Sequence, residues 1–274
     1  RGVARVHGFT SGRSIWTRIS ERETTPGHTV LPPMPSSFRF GPPAPRLDLL
    51  TRPRLLRALL ARWERQVVAI VGGPGLGKTT LLSQAVAENL LAPRGDDVWI
   101  GVEARDAEGD SLGRAVARAL GAGTELGSDP HAVADLLWQR SPTALCLVLD
   151  DVHVLPPGSD GARWLGELVD HLPANAHVVL AGRTDPPVRM TRLRSQGAAL
   201  VVSEDELRFS DEELADFGAR RGVGPDRFQD TGGWPAMAEL AASVERHLAG
   251  AFVWEEVLEP LGPERRHILA VVCD

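Results

Sequence analysis

Short apolar runs alternate with longer amphipathic stretches between residues 66 and 203 of this 274-residue chain. The runs are five to eight residues long, as in buried strands, and the stretches between them carry apolar residues at helical spacing. This alternation predicts an α/β fold, in which a parallel five-stranded sheet carries helices on both faces. The predicted strands are Gln66–Val71, Val98–Val102, Ala144–Asp151, Ala176–Ala181 and Ala198–Val202.

The amphipathic stretches predict the helices that cover this sheet. In the first helix, Thr51 is the expected N-cap and Pro53 lies near the first turn. Its leucines recur at helical spacing, so the helix is expected to pack just ahead of the first strand. The other predicted helices are Lys78–Leu91, Ser111–Leu120, His131–Arg140, Arg163–His171 and Val188–Gln196.

The pattern changes after residue 203, where no strand-like run follows. Ser210–Glu213 resembles a capping box, and Leu214 and Phe217 then lie on one face of a helix. This change predicts an α/β domain over residues 46–203 and a small helical lid domain over 204–250. Further helices are predicted at Ala236–Leu248, Phe252–Leu258 and Pro263–Val272.

The two ends of the chain differ from this body. Residues 1–45 hold seven prolines and little apolar periodicity, which predicts a linker or an extended arm. Scattered arginines there suit an acidic partner, but a solvated tail is the favoured interpretation. The chain begins at Arg1 and stops at Asp274 within a helix-like run, so we expect it to be part of a longer protein.

The composition narrows the function classes. The chain is 43% hydrophobic with a net charge of −6, which argues against this segment binding nucleic acid by itself. Cys146 and Cys273 form neither a disulfide framework nor a metal spacing, and Cys146 is predicted to be a buried free thiol. No apolar stretch approaches the roughly 20 residues that span a bilayer, and no signal segment is present. We therefore expect a cytoplasmic protein without membrane contact.

A glycine-rich turn joins the first strand to the second helix with the P-loop pattern G-x-x-x-x-G-K-T. Its glycines allow consecutive N–H groups to point at phosphate oxygens, and the positive end of the following helix strengthens that field. Lys78 is predicted to reach the β- and γ-phosphates, and the Thr79 hydroxyl to hold Mg²⁺. The predicted nucleotide-binding residues are Gly72, Gly73, Pro74, Gly75, Leu76, Gly77, Lys78, Thr79 and Thr80.

Two carboxylates, Asp150 and Asp151, end the third strand. A strand that is apolar on both faces belongs in the middle of a covered parallel sheet, so the two acids are expected beside the P-loop. Asp150 is predicted to hold Mg²⁺ through water, and Asp151 to polarise the attacking water. The alternative is a polar strand end that caps the next turn.

Two arginines are further candidates for nucleotide contacts. Arg183 follows the fourth strand, where a polar residue can sense the γ-phosphate, and a surface salt bridge is the alternative. Arg52 lies near the position of an adenine-proximal element in many P-loop ATPases, and a plain surface position is equally compatible.

Six segments occur in a fixed order over residues 46–274: GGPGLGKTT, LVLDD-V-H, VVLAGRTDPP, RLRSQG…ELRFSDEEL, GGWPAMAEL and EEVLEPLGPERRHIL. This set resembles the ATPase core of the STAND class of signal-transduction ATPases. It is most similar to the large ATP-binding LuxR-type and maltose-regulator-like bacterial transcription regulators. The resemblance implies an ATP/ADP switch with slow Mg²⁺-dependent hydrolysis, autoinhibited with ADP and self-associating when activated by an unknown effector.

The resemblance also implies roles for particular residues. Pro235, in Gly-Trp-Pro, matches a G-x-P motif whose proline packs on the adenine, and Arg183 matches a sensor on the fourth strand. Residues 251–274 resemble the opening of a winged-helix domain, in which family members often carry a histidine that contacts the ADP phosphate, and this chain ends too early to show one. His267 is predicted to be a helix surface residue. The effector-binding repeats and the DNA-binding domain of the family are absent, so DNA contact is expected only through a domain outside this chain.

Three functions stay open at this point. The first is an ATP/ADP-binding switch in a larger signal-responsive transcription regulator, with a hinge near residues 203–210 and slow ATPase activity. The second is an AAA+-like working ATPase or a small-molecule kinase. The third is a scaffold that binds nucleotide without hydrolysis, against which the intact Lys78, Thr79 and Asp150 count. No GTPase-type N-K-x-D pattern occurs, which favours adenine.

Overall fold

Five parallel strands form one sheet with the order β2-β3-β4-β1-β5. This confirms the predicted sheet, with strand ends that differ from the prediction by at most two residues. Because β1 lies between β4 and β5, the turn that follows β1 leaves from the interior of the sheet. The strands are β1 (Val67–Val71), β2 (Asp96–Gly101), β3 (Leu145–Asp150), β4 (Ala176–Gly182) and β5 (Ala199–Val202).

The computed structural model describes residues 39–44, 49–243 and 254–259. Several predictions concern residues outside these ranges and are not addressed by the fold. They are the predicted arm up to residue 38, the Pro263–Val272 helix, His267, Cys273 and most of the predicted winged-helix opening. The helix predicted over Ala236–Leu248 is shorter than predicted, because it ends at Ala242 and the next residue, Ser243, has an extended backbone.

Helices cover both faces of the sheet, as predicted. Val68 and Ile70 of β1 point to one face, where they pack with α1 and α2. Val67 points to the opposite face, where α3, α4, α5 and α6 pack. This division follows from the two-residue period of a strand. The helices are α1 (Pro53–Leu59), α2 (Lys78–Leu91), α3 (Ser111–Ala119), α4 (Pro130–Trp138), α5 (Asp160–Asp170) and α6 (Met190–Ser195).

The central strands carry the buried core of the sheet. Every residue of β3 and β4 is buried, which agrees with a strand covered on both faces. Cys146 lies in β3 as a buried free thiol, as predicted, and burial raises the pKa of this thiol well above its usual range. Within the described ranges, no helix combines the length and the apolar character needed to cross a membrane.

Residues 204–242, which we call the helical segment, build a small core of their own. Phe217, Phe228 and Ala238 are buried together with Leu50, which precedes α1 in the chain. The segment is therefore tied to the region just before the first helix. It contains α7 (Glu204–Leu207), α8 (Asp211–Arg221), a 3₁₀ stretch (Pro225–Thr231) and α9 (Pro235–Ala242), and a π-helical turn lies further on at Trp254–Leu258.

The ends of two helices test the capping predictions. The prediction of Thr51 as an N-cap is wrong, because α1 begins at Pro53 and Arg52 takes the N-cap position without a side-chain cap. The Arg52 side chain is engaged elsewhere, with Glu213. The predicted capping box of α8 is confirmed, since the Ser210 hydroxyl accepts from the Glu213 N–H and Glu213 accepts from the Ser210 N–H.

The described end of the predicted arm contacts the sheet edge. The Gly101 N–H of β2 donates to the Arg39 carbonyl at 2.8 Å. The Arg39 guanidinium donates to both carboxylate oxygens of Asp106, at 2.7 and 2.5 Å, and Asp106 has no exposed surface. Asp106 also accepts from the Ser111 hydroxyl and the Glu103 N–H. This buried ion pair anchors the chain at residue 39.

Replacing Arg39 by Ala is expected to lower the free energy of unfolding by about 3–5 kcal/mol, because the buried Asp106 carboxylate loses its charged partner. Urea unfolding followed by circular dichroism measures this loss. Arg163→Ala is the matched control, since Arg163 is exposed and its pair with Asp160 should contribute about 0–1 kcal/mol. Equal effects of the two substitutions would contradict the anchoring role of Arg39.

Candidate functional site

The backbone of the P-loop adopts conformations that require glycine. Gly75 and Gly77 have φ angles of +69° and +80°, in the left-handed region that residues with a Cβ rarely adopt. The turn ends at Lys78, the first residue of the 14-residue helix α2. The free N–H groups at the start of this helix and its positive end therefore face the loop. This geometry suits a phosphate ligand.

Lys78 is the only lysine in the chain, and it is buried at the P-loop. Its ammonium group donates to the carbonyl oxygens of Gly72 and Gly73, each at 2.7 Å. Burial lowers the pKa of Lys78, and the charges of Asp150 and Asp151 partly oppose this shift. The structure thus brings the predicted lysine and the two predicted carboxylates into one electrostatic cluster.

Thr79 and Asp150 form the polar centre of the site. The Thr79 hydroxyl donates to a carboxylate oxygen of Asp150 at 2.7 Å, and only 5% of Asp150 is exposed. Burial raises the pKa of Asp150 to about 6, although the Thr79 hydrogen bond opposes this shift. Burial disfavours the ionised form of this carboxyl group, and a nearby cation would stabilise that form.

The residues at this centre fit a magnesium ion. Mg²⁺ in nucleotide sites takes one or two protein oxygens and completes its shell with water and phosphate. Thr79 and Asp150 offer such oxygens next to the P-loop. Among the described residues, no group of three or more His, Cys, Asp or Glu side chains forms a metal site, so an ion here would take its other ligands from water and nucleotide.

Asp151 differs from Asp150 in conformation and exposure. Its φ angle is +62°, and among the described residues no other non-glycine residue has a positive φ. Such a conformation costs on the order of 1–3 kcal/mol and is common at functional sites. The Asp151 side chain is 56% exposed, with one oxygen 3.8 Å from the His153 Nδ1. Its predicted action on a water molecule remains a prediction.

Arg183 lies directly after β4, as predicted, and its positive charge acts on Lys78 and His153. Its guanidinium also forms an ion pair with Glu256 at 3.2 Å, with both side chains partly exposed. The arginine therefore lies within electrostatic reach of the P-loop and holds a surface partner at the same time. Its role as a sensor of the γ-phosphate remains a prediction.

A cavity of about 250 Å³ opens between the P-loop and the helical segment. Pro235, for which only the family resemblance predicted a role, lies on its wall. The loop and the segment are in direct contact there, since the Ala236 N–H donates to the Gly75 carbonyl at 3.0 Å. The wall includes Leu50, Arg52, Gly75, Gly77, Thr80, Phe209, Phe217, Pro235 and Ala236.

Arg52 lies at this cavity and is buried, so its interpretation as a surface residue is wrong. Its guanidinium pairs with Glu213 at 3.1 Å, donates to the Arg208 carbonyl at 2.7 Å, and lies 4.9 Å from the Phe209 ring centroid. Burial alone would raise the pKa of Glu213, but hydrogen bonds from Arg52 and Arg54 lower it overall. Glu213 was predicted only as part of a capping box.

The family model described as an AAA domain matches residues 61–186. The matched range includes the P-loop, Asp150 and Arg183, and it ends before the helical segment. Residues 61–186 are therefore similar to a P-loop ATPase domain of the AAA type.

Curated relatives and a solved structure agree with this domain. The HTH-type transcriptional regulator MalT of Vibrio campbellii is 24% identical over an alignment of 266 positions, gaps included, that covers 82% of this chain and 29% of MalT. The serine/threonine-protein kinase PknK of Mycobacterium tuberculosis is 26% identical over an alignment of 304 positions, gaps included, that covers 96% of this chain and 27% of PknK. The Walker-type ATPase PABY2304 of Pyrococcus abyssi matches with a TM-score of 0.55 at 14% identity, over 82% of this chain and 78% of that protein.

These similarities confirm the predicted resemblance to the ATPase core of maltose-regulator-like proteins, and the solved structure confirms the P-loop ATPase fold. The chain spans less than a third of the length of the two curated relatives.

Replacing Asp150 by Asn is expected to raise the free energy of unfolding of the Mg²⁺-free protein by about 1–3 kcal/mol at pH 8. The pKa of Asp150 is about 6 in the folded protein and 3.8 ordinarily, so the folded state binds this proton more tightly than the unfolded state. The carboxylate therefore destabilises the fold increasingly as the pH rises from about 4 to above 6.

Urea unfolding at pH 5 and pH 8 without Mg²⁺ measures this effect, and the gain should be smaller at pH 5. Asp135→Asn is the control, because Asp135 is exposed on α4. A gain that does not change with pH would contradict the buried-carboxylate account.

Proposed function

We propose that this STAND-like P-loop ATPase core is an ATP/ADP switch in a larger signal-responsive transcription regulator of the LuxR type, with slow Mg²⁺-dependent ATP hydrolysis. One observation carries the proposal: the cavity beside the P-loop has walls from both the α/β body and the helical segment. A nucleotide that fills it touches both parts.

The chemistry of the cavity, together with that of the adjoining P-loop and the end of β3, matches the parts of a nucleotide. Lys78 and the backbone amides of the P-loop would bind the phosphates, and Thr79 and Asp150 would hold Mg²⁺. When bound, the ion neutralises phosphate charge and polarises the phosphoryl oxygens. Asp151 would orient the attacking water, and Arg183 would sense the γ-phosphate. The apolar wall around Pro235 and Phe209 suits the adenine ring.

The switch follows from differential binding. A nucleotide shifts a conformational equilibrium only by the difference between its affinities for the two states. Contacts to the helical segment exist only while that segment is docked, so nucleotide binding favours the docked state. The proposed hinge lies near residues 203–210, between β5 and α8. Hydrolysis then acts as a timer and reset.

The proposed partners follow from the relatives. MalT is described as an HTH-type transcriptional regulator, and this chain covers 29% of its length. We propose that DNA and the effector bind through domains outside this chain, that activation involves self-association, and that the protein works in the cytoplasm.

Replacing Lys78 by Ala is expected to weaken Mg²⁺-ADP binding by at least about 100-fold, because the charge at the phosphates is lost. Isothermal titration calorimetry measures the affinity, with Arg105→Ala as an exposed-cation control. Since Lys78 is the only lysine, amine-selective labelling of the wild type, measured on the peptide that contains Lys78, gives an independent readout. Mg²⁺-ADP should protect this residue, and labelling that is unchanged by nucleotide would contradict the phosphate assignment.

The nucleotide that co-purifies with the protein separates the switch from a working ATPase. We expect ADP, released on denaturation and identified by chromatography, together with steady ATP turnover well below the median of about 10 s⁻¹ for enzymes. Rapid turnover without an effector, from a protein purified without nucleotide, would favour an AAA+-like working ATPase or a kinase.

A further inference from the structure

Three consecutive residues of the P-loop are hydrogen-bonded to the helical segment. The Gly73 N–H donates to a carboxylate oxygen of Glu204 at 3.0 Å. The indole N–H of Trp234 donates to the Pro74 carbonyl at 2.9 Å. The Ala236 N–H donates to the Gly75 carbonyl at 3.0 Å. We call these three hydrogen bonds the clasp.

The clasp determines which way two amide groups point. A trans peptide is planar, so the N–H of one residue points opposite to the carbonyl of the residue before it. With the Pro74 carbonyl held by Trp234, the Gly75 N–H points away from the helical segment. With the Gly75 carbonyl held by Ala236, the N–H of the following residue, Leu76, also points away. These amides belong to the loop that is proposed to bind the phosphates.

The hydrogen bond between Gly73 and Glu204 orients the peptide group that receives the Lys78 side chain. Glu204 holds the N–H side of the peptide between Gly72 and Gly73. The carbonyl on the opposite side of this peptide, from Gly72, accepts from the Lys78 ammonium at 2.7 Å. The helical segment therefore orients both the amides and the carbonyl that receives the lysine.

The two sides of the clasp are connected within the helical segment. Arg208 pairs with Glu204 at 2.9 Å and also donates to the carbonyl of Gly232, two residues before Trp234, at 3.1 Å. Gly233 has a φ angle of +72°, and a Cβ there would lie 2.6 Å from the Phe209 carbonyl oxygen. Only glycine fits this turn, which places Trp234 at the N-cap position of α9.

We propose that Trp234 is a positioning residue for the nucleotide phosphates, acting through the Pro74 carbonyl rather than by contact with the ligand. The proposal rests on the proposed nucleotide binding. Phosphate affinity then depends on docking of the helical segment. By reciprocity of linkage, phosphate binding strengthens that docking by the same factor.

Trp234→Phe tests this, because it removes the indole N–H and keeps an aromatic ring. The affinities of Mg²⁺-ADP and of adenosine are measured by displacement of a fluorescent ADP analogue. We expect about a 5- to 30-fold loss for ADP, since the partly buried Pro74 carbonyl loses its donor, and less than about a 2-fold change for adenosine, which carries no phosphate. Trp138→Phe, at the exposed end of α4, should change neither affinity.

The outcomes separate the two proposals. If the wild type fails to bind ADP, the proposed function itself is wrong. If the wild type binds ADP and Trp234→Phe binds it equally well, only the positioning role is wrong. An equal loss for ADP and adenosine would mean that Trp234 merely shapes the cavity wall, which also overturns the positioning role.

Glu204 provides a second test that does not disturb buried packing, because its side chain is 48% exposed. Glu204→Ala removes the acceptor of the Gly73 N–H and should weaken ADP binding about 2- to 5-fold. Glu204→Gln keeps an acceptor oxygen and should remain close to the wild type. If Trp234→Phe does not fold, the comparison of Glu204→Ala with Glu204→Gln tests the clasp instead. Equal ADP affinities of both variants and the wild type would overturn the proposed role of the clasp.

Discussion

A loop that turns its amides toward a ligand must satisfy the carbonyl oxygens on its other side. Buried backbone groups without partners each cost free energy comparable to a lost hydrogen bond. In this protein, the carbonyls of Pro74 and Gly75 are satisfied by the helical segment, and those of Gly72 and Gly73 by Lys78. The P-loop is therefore not a self-sufficient element, and its conformation depends on a segment about 160 residues further along the chain.

The buried charges of Lys78 and Asp150 determine which ligands the site attracts. Lys78 and Asp150 are both buried at the end of the sheet, and burial disfavours the charged form of each. Neither group is stabilised by its burial, so both gain when ligands of opposite charge arrive. A phosphate beside Lys78 and a cation beside Asp150 would complete the electrostatics that the folded chain leaves incomplete. The proposed Mg²⁺-nucleotide complex would supply both of these opposite charges.

The helical segment is held by interactions that resemble a domain interface more than a loose lid. Arg52 and Arg54 both pair with Glu213, and Arg52 lies against Phe209. Breaking such a buried pair leaves an uncompensated charge, which is costly. Opening of the proposed hinge would therefore have to break this cluster, and a nucleotide that bridges the two parts would add its binding energy to the cluster. The strength of this cluster therefore contributes to the free energy that opening of the proposed hinge would cost.

The sequence by itself determined the parallel sheet, the P-loop and the carboxylates at the end of β3. These depend on local periodicity, on the backbone freedom of glycine and on the order of the elements along the chain. Each of these can be recognised from residues that are close together in the sequence. Only the tertiary structure decided that Arg52 is buried, that Glu213 is its partner, and that Trp234 and Glu204 bind the loop. Those contacts join residues more than 100 positions apart. No periodicity or motif records such pairs, because they exist only once the sheet has brought the segments together.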